Sequence, residues 1–301
     1  MIIEPPAASD PRRSAESGDA WVEASDGRRY WGRFGAAGLL AVDPERGILL
    51  QHRASWSHHG DTWALPGGAR HEGESAAAGA LREAAEEAGV PAASIRLRMM
   101  SVLDLEIWTY ATIIGDVTEP FEPVISDAES HALAWVLPEE VQDLPLHPGF
   151  AQSWRRLRPL LQIRPALVVD AANVMGSVPD GWWKDRAGAA ARLLRASSDL
   201  AARGLPGHVL GVPEGTWFPE YVVVVEGQAR KVAAEKGSDP LVSLVRAEGS
   251  GDDAVVAEVR GLLGRGRRVT VATSDRGLAD RCRVAGAGII GAGRLREELG
   301  Y

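Results

Sequence analysis

The stretch "GGARHEGESAAAGALREAAEEAGV", residues 67–90, decides how the first half of the chain is read. From Ser75 to Ala88 it holds strong helix formers interrupted only by Gly79, and Gly89 follows as a C-terminal stop. The spacing therefore predicts a helix over 75–88. Successive helical residues turn by about 100°, so Glu83, Glu86 and Glu87 crowd one side while Ala77, Leu81, Ala84 and Ala88 lie on the other. Like charges at this spacing cost a helix roughly 0.2–0.5 kcal/mol per pair, and something must offset them. Magnesium fits, because it prefers oxygen ligands and bridges carboxylates to substrate phosphates. A solvated glutamate-rich face is the alternative that the segment by itself leaves open.

Working outward, "RFGAAGLLAVD", "PERG" and "ILLQHR" (33–53) read as two strands joined by a short turn. "SVLDLEIWTYATIIGDV" and "HALAWVL" are further strands, and "HPGFAQSWRRLRPLL" has the spacing of a closing helix. Residues 1–20 are rich in Pro, Ala, Ser and charge without periodicity, and are expected to form a disordered tail. The rhythm changes at Ala166. There "ALVVD", "YVVVVE", "LVSLV" and "VTVATSD" are short valine-rich runs separated by helical segments, the pattern of parallel strands covered on both faces. The expected division is a domain over 21–163 and a second over 166–301, joined near "LQIRP".

The net charge of -8 is unevenly spread: residues 1–164 hold 24 acidic and 15 basic side chains, residues 165–301 hold 17 and 18. Such a chain would repel a polyanion at long range, so indiscriminate coating of nucleic acid is excluded and any phosphate must be met locally. No apolar run reaches the roughly 18 residues that a membrane span needs. The N-terminus lacks a signal pattern, and a single cysteine, Cys282, forms no internal disulfide; both lead to the expectation of a cytoplasmic protein.

Gly68, Glu74, the pair Arg82-Glu83, the pair Glu86-Glu87 and Gly89-Val90 stand at the spacing G-x5-E-x7-R-E-U-x-E-E-x-G-U, and the segment resembles the Nudix box at its fixed letters. The departure is Ala84, where the family usually carries a larger aliphatic. "WALPGG" before the box and "ESHALAW" with "VLPEEVQDLPLHPGF" after it extend the resemblance over roughly residues 30–160. It implies an α/β/α sandwich around a mixed sheet, and magnesium-dependent hydrolysis of a diphosphate linked to a nucleoside. Glu83, Glu86 and Glu87 resemble the family's magnesium ligands, with the Gly68 carbonyl beside them; Glu74 looks like the accessory glutamate, and Arg82 is expected to pair with a neighbouring carboxylate. The catalytic base moves among subfamilies, and Glu129 sits where some members place it, an exposed loop acid being the alternative. Arg53, at a strand end, is a candidate for holding phosphate. His58 and His59 are adjacent in a turn, where side chains usually diverge; with no Cys or third His at ligand spacing they read as ordinary loop residues.

In the second half an acid follows each strand: Asp170 after "ALVVD" with Asn173 close behind, Glu226 after "YVVVVE", Asp252 and Asp253 after "LVSLV", Asp275 after "VTVATSD". In an open parallel sheet these strand ends share one edge, where ligands bind. Each acid taken singly is equally a helix N-cap. Through "VVDAANV", "SGDDAVVAEV" and "VTVATSDRGLADRCRVAGAGIIGAGRLREEL" this half resembles the NYN branch of the PIN-like nucleases. That resemblance implies an RNA-cleaving site in which Asp170, Asp252, Asp253 and Asp275 hold magnesium or manganese and Asn173 orients ligand or substrate. Glu226 departs from the family's usual Asp. Three functional expectations stand: a Nudix pyrophosphohydrolase fused to a ribonuclease, the same enzyme fused to a noncatalytic RNA-binding module, or a nucleotide and RNA sensor without turnover. The sequence sets neither the nucleotide's base nor an oligomeric state.

Overall fold

The structure is a computed structural model that describes residues 17–177, 181–233 and 241–300. It divides into two compact units, Met1–Arg158 and Pro159–Tyr301. Most of the expected tail, residues 1–16, lies outside the described residues. Its end does not fit the expectation: the Gly18 carbonyl accepts from Arg33 N–H at 2.8 Å, so order begins before Trp21.

The first unit opens with a small antiparallel hairpin, β1 (Trp21–Glu23) and β2 (Arg29–Trp31). Its main sheet comprises β3 (Ala36–Asp43), β4 (Gly47–Arg53), β5 (Trp63–Ala64), β6 (Gly67–Ala69), β7 (Ile95–Asp104), β8 (Thr109–Val117) and β9 (Ser130–Val136). The sheet is mixed: β3 and β8 pair in parallel, whereas β7 with β8, β4 with β9 and β3 with β6 pair antiparallel. The segment 101–117 is two strands, not one, because Leu105–Trp108 turns the chain back with Glu106 at a φ of 65°. Helix α1 (Ala76–Ala88) begins at Ser75, whose side chain caps Ala78 N–H, and ends at Gly89 in the left-handed region at φ 62°. Ala80, Ala84 and Ala88 are fully buried in one apolar cluster with Leu39, Leu49 and Ile113, so small residues let the helix lie close on the sheet. At Ala84 this smaller side chain is part of that packing. Alternate strand residues Leu40, Ile48 and Leu50 are also fully buried, and the closing helix α2 (Pro148–Leu157) buries Phe150, Trp154 and Leu157.

Among its described residues the second unit is built on five parallel strands, β10 (Pro165–Asp170), β13 (Glu220–Val225), β14 (Val242–Arg246), β15 (Arg268–Ala272) and β16 (Gly288–Ile290), in the order β14-β13-β10-β15-β16. Between β10 and β13 run α3 (Ala171–Gly176), α4 (Arg186–Arg203), the hairpin β11 (Leu205–Pro206) with β12 (Thr216–Trp217), and α5 (Gly207–Leu210). Helices α6 (Gly251–Gly264), α7 (Arg276–Ala285) and α8 (Ala292–Leu299) complete it. Val168, Val222 and Val271 of the strands meet Val255, Val259 and Leu278 of α6 and α7 in one buried cluster. The chain builds outward from the central β10 in one direction, then returns to its other side at β15. Connections leaving β10 and β15 therefore diverge, which opens a crevice at their carboxyl ends. No helix among the described residues is long and apolar enough to cross a membrane.

Candidate active sites

On α1 the three glutamates occupy different environments. Glu86 is exposed and Glu83 half-buried, but Glu87 is only 5% accessible, at the edge of the packed face and not on a solvated one. Its Oε2 accepts from Gly67 N–H at 2.8 Å. Burial pushes its carboxyl up to about 8, and the charges of Glu83, Asp127 and Glu129 add to the push. Burial also raises Glu83, against the pull of Arg82. Arg82 is the hub: it donates to Glu74 at 2.9 and 3.0 Å, to Glu83 at 2.8 Å, to Glu86 at 3.2 Å and to the Ala69 carbonyl at 2.9 Å. These hydrogen bonds hold Glu74 below the usual carboxylate range. One cation thus clamps the loop before α1 to the helix, while Glu87, across the turn, takes a backbone donor, Gly67 N–H.

Gly68 on β6 faces this cluster. A Cβ there would lie 2.7 Å from the Glu83 carboxyl carbon, so only glycine lets the carboxylate approach the strand's backbone. Two acids from the loop before β9 also face Glu87. Glu129, the proposed base, is exposed, and its N–H donates to Asp127 Oδ1 at 3.1 Å. Asp127 was not singled out from the sequence; it reads there as one more loop acid, and only the docking of the loop on the end of α1, through Val124 N–H to the Ala88 carbonyl at 3.0 Å, brings it in. Arg53 stands where the β4–β9 register shifts between His52 and Arg53, a bulge that re-aims the strand end. Its Nε donates to the His58 carbonyl at 3.3 Å. Tyr110 of β8 also went unnoticed; its hydroxyl is pushed up by burial and by Glu87 and Glu83, and the polar residue in "TYATIIG" was the available signal.

The NUDIX domain family model matches residues 32–157. A Mycobacterium tuberculosis protein named "Putative 8-oxo-dGTP diphosphatase 3" is 48% identical over 164 residues, a match spanning 51% of this chain and 74% of that protein. The chain belongs to the Nudix family. A "Nucleoside triphosphate pyrophosphatase/Nudix hydrolase fusion protein" of Bifidobacterium longum is 37% identical over 149 residues, 47% of this chain and 31% of that protein. Among solved structures, a Nudix hydrolase from M. smegmatis, RenU, shares 49% identity over 48% of this chain and 95% of its own, with a TM-score of 0.45.

Beyond the Nudix unit, the second unit gathers acids from four strand ends. Asp170, Asn173, Glu226, Asp252 and Asp275 line one cavity of about 260 Å³ at the carboxyl edge of the parallel sheet. Asp170 receives Thr273 Oγ1–H at 2.8 Å on one oxygen and Asn173 N–H at 3.1 Å on the other. Burial raises its carboxyl, with Asp252 and Glu226 adding to the rise. Burial likewise raises Asp252, with the charge of Asp275 adding to the rise and Arg281, 3.9 Å away, opposing it. Asn173 Oδ1 accepts from Ser274 N–H at 2.8 Å, tying the first loop to the fourth. Thr273, missed in the sequence, links Asp170 to Asp275 by also accepting Asp275 N–H at 3.1 Å.

The capping alternative is realised without displacing the acids: Asp170 and Asp275 cap α3 and α7 and still line the cavity. Ser250, not Asp252, caps α6. Asp253 is a correction. It is exposed, outside the cavity lining, and bound to Arg281 at 2.5 Å, because neighbouring residues of a helix point about 100° apart and α6 directs only Asp252 inward. Glu226 Oε2 accepts from Gly251 N–H at 2.8 Å, so it braces the start of α6.

Proposed function

We propose that the Nudix unit is a magnesium-dependent pyrophosphohydrolase acting on a phosphoanhydride of a nucleoside di- or triphosphate or related compound. One observation carries the reading: Glu87 is buried among Glu83, Asp127 and Glu129, while Arg82, the arginine of the same helix, is engaged by Glu74, Glu83 and Glu86. That donor set is all oxygen and rich in negative charge, which suits a hard divalent cation, and the missing Cβ at Gly68 leaves its backbone open to the same point. Glu83, Glu86, Glu87 and the Gly68 carbonyl would hold the ion. Bound there, magnesium polarises phosphoryl oxygens and acidifies water. The chain's own residues do the rest. Gly67 N–H orients Glu87, Arg82 holds Glu83 and Glu74 in place, Arg53 meets substrate phosphate, and Glu129 takes the proton from attacking water. The name of the Mycobacterium tuberculosis relative makes 8-oxo-dGTP the first substrate to try. Glu87→Gln and Glu129→Gln are assayed against a panel of nucleoside triphosphates, dinucleoside polyphosphates and sugar nucleotides. Loss of turnover in the first variant, and a displaced pH profile in the second, are expected. Full activity in Glu87→Gln would overturn the reading. We place this work in the cytoplasm, where nucleotides are found and Cys282 would stay reduced.

For the second unit we infer a PIN-like, NYN-type ribonuclease in which Asp170, Asp252 and Asp275 hold magnesium or manganese and Asn173 orients the phosphodiester. The convergence of those residues on one cavity supports it. An observation also favours a noncatalytic RNA-binding module: Glu226 replaces the family's Asp and its carboxylate is taken up by Gly251 N–H. RNA cleavage lost in Asp275→Asn favours the nuclease; RNA binding without cleavage under both ions favours the module.

A further inference from the structure

Loop histidines that looked ordinary in the sequence acquire a third partner in the fold. His147 comes from the segment before α2, and the ligand nitrogens of His58, His59 and His147 all lie within 4.8 Å of one another. We propose that these three imidazoles form a binding site for a zinc-type transition ion, separate from the carboxylate site on α1, that ties the 54–62 loop to the start of α2.

Both sides of the site are held by backbone. In the loop, Ser57 N–H donates to the Ala54 carbonyl at 3.0 Å, Gly60 N–H to Ser57 at 2.9 Å and Asp61 N–H to Arg53 at 3.1 Å. Opposite, Trp63 N–H donates to the Pro145 carbonyl at 2.8 Å and His147 N–H to the Trp63 carbonyl at 2.9 Å. His59 sits at φ 54°, a left-handed conformation that side chains adopt at a cost. His59 stands edge-on to His147 at 4.8 Å and to His58 at 4.2 Å between ring centroids.

The chemistry selects the ion. Each of the three neutral imidazoles offers one ring-nitrogen lone pair, and the fold gathers all three at one point. Three imidazoles suit zinc, copper, nickel or iron, and are poor ligands for magnesium. A tetrahedral site with bonds of about 2.0–2.1 Å places its ligand atoms roughly 3.4 Å apart, and the exposed side chains of His58 and His59 are free to close that difference by rotation. His147 is the coupled member. Its Nδ1 accepts Gly149 N–H at 3.1 Å and caps α2. Ligation through Nδ1 replaces that cap directly; ligation through Nε2 moves the ring proton to Nδ1 and ends it as well. Ion binding is thus expected to alter the first turn of α2.

The test uses the full chain without an affinity tag, stripped of metal and then held in excess magnesium so that carboxylate sites are filled. Titration with zinc, followed by calorimetry, is expected to show one equivalent bound by the wild type and to weaken by about tenfold or more in His59→Ala and in His147→Gln. His59 is exposed, so its variant keeps the readout valid if His147→Gln fails to fold. Glu87→Gln and Asp275→Asn are expected to bind zinc as the wild type does. Amide exchange at Gly149 should change on adding zinc. No zinc binding above the carboxylate background, or binding that is unchanged in His59→Ala and falls in Glu87→Gln, would overturn the site.

Discussion

Replacing Glu87 by Gln should make the metal-free protein more stable at neutral pH, although it removes a residue assigned to the active site. In the fold, burial and three neighbouring acids raise the Glu87 carboxyl from an ordinary 4.5 to about 8. A raised carboxyl binds its proton more tightly folded than unfolded. Its stabilising contribution is therefore complete below pH 4.5 and is lost as pH climbs through 8. Each unit corresponds to about 1.4 kcal/mol, so roughly 3 kcal/mol is gone by pH 7 and nearly 5 kcal/mol above pH 8. Glutamine keeps an oxygen for Gly67 N–H and does not ionise. In EDTA at pH 7 the variant should unfold later than the wild type by about 3 kcal/mol, or roughly 6–12 °C for a unit of this size. The two should converge near pH 4.5, and magnesium should raise the wild type while leaving the variant unmoved. Thermal melts of both proteins from pH 4.5 to 8.5, with and without EDTA, provide the check. A difference that does not depend on pH, or a variant less stable at pH 8, would refute the argument that Glu87 is a buried charge awaiting a cation.

Gly68→Ala should fold almost normally, because the added Cβ meets only the movable end of Glu83, yet lose most hydrolysis by displacing that carboxylate; comparing melting temperature with turnover separates the two. Arg82→Ala strips partners from Glu74 and Glu83, both largely shielded, and should cost about 2–4 kcal/mol in a urea titration. In the second unit, Asp252→Asn should abolish manganese binding measured by calorimetry, whereas Asp253→Asn should leave it intact, since Asp253 faces Arg281 outside the cavity.

The sequence carried the frame of both units through local signals. The alanine face of α1 and its cap residues Ser75 and Gly89 are written in consecutive letters, and valine runs ending in acids announce a parallel sheet edge. What stayed hidden depends on contacts between distant segments. Helical spacing alone placed Glu87 on a charged face; its burial follows from Gly67 and the 118–129 loop closing over it. Asp253 looked equivalent to Asp252 because both directly follow a strand-to-helix loop, and the phase of α6, set by the Ser250 cap, separates them. Thr273 and Tyr110 are uncharged and gain meaning only from the carboxylates beside them. His147 stands in a stretch that reads only as the exit from the box and the start of the closing helix, and it meets His58 and His59 because Trp63 pairs with the segment before α2.

The central claim is that the carboxylates of α1 hold a divalent cation that turns over a nucleoside phosphoanhydride, and the most direct measurement is product analysis of 8-oxo-dGTP and other nucleoside triphosphates incubated with the wild type and Glu87→Gln in magnesium or EDTA. The account predicts nucleoside monophosphate and pyrophosphate from the wild type in magnesium alone, with turnover abolished by EDTA and by the substitution. Equal turnover in EDTA, or in Glu87→Gln, would contradict it.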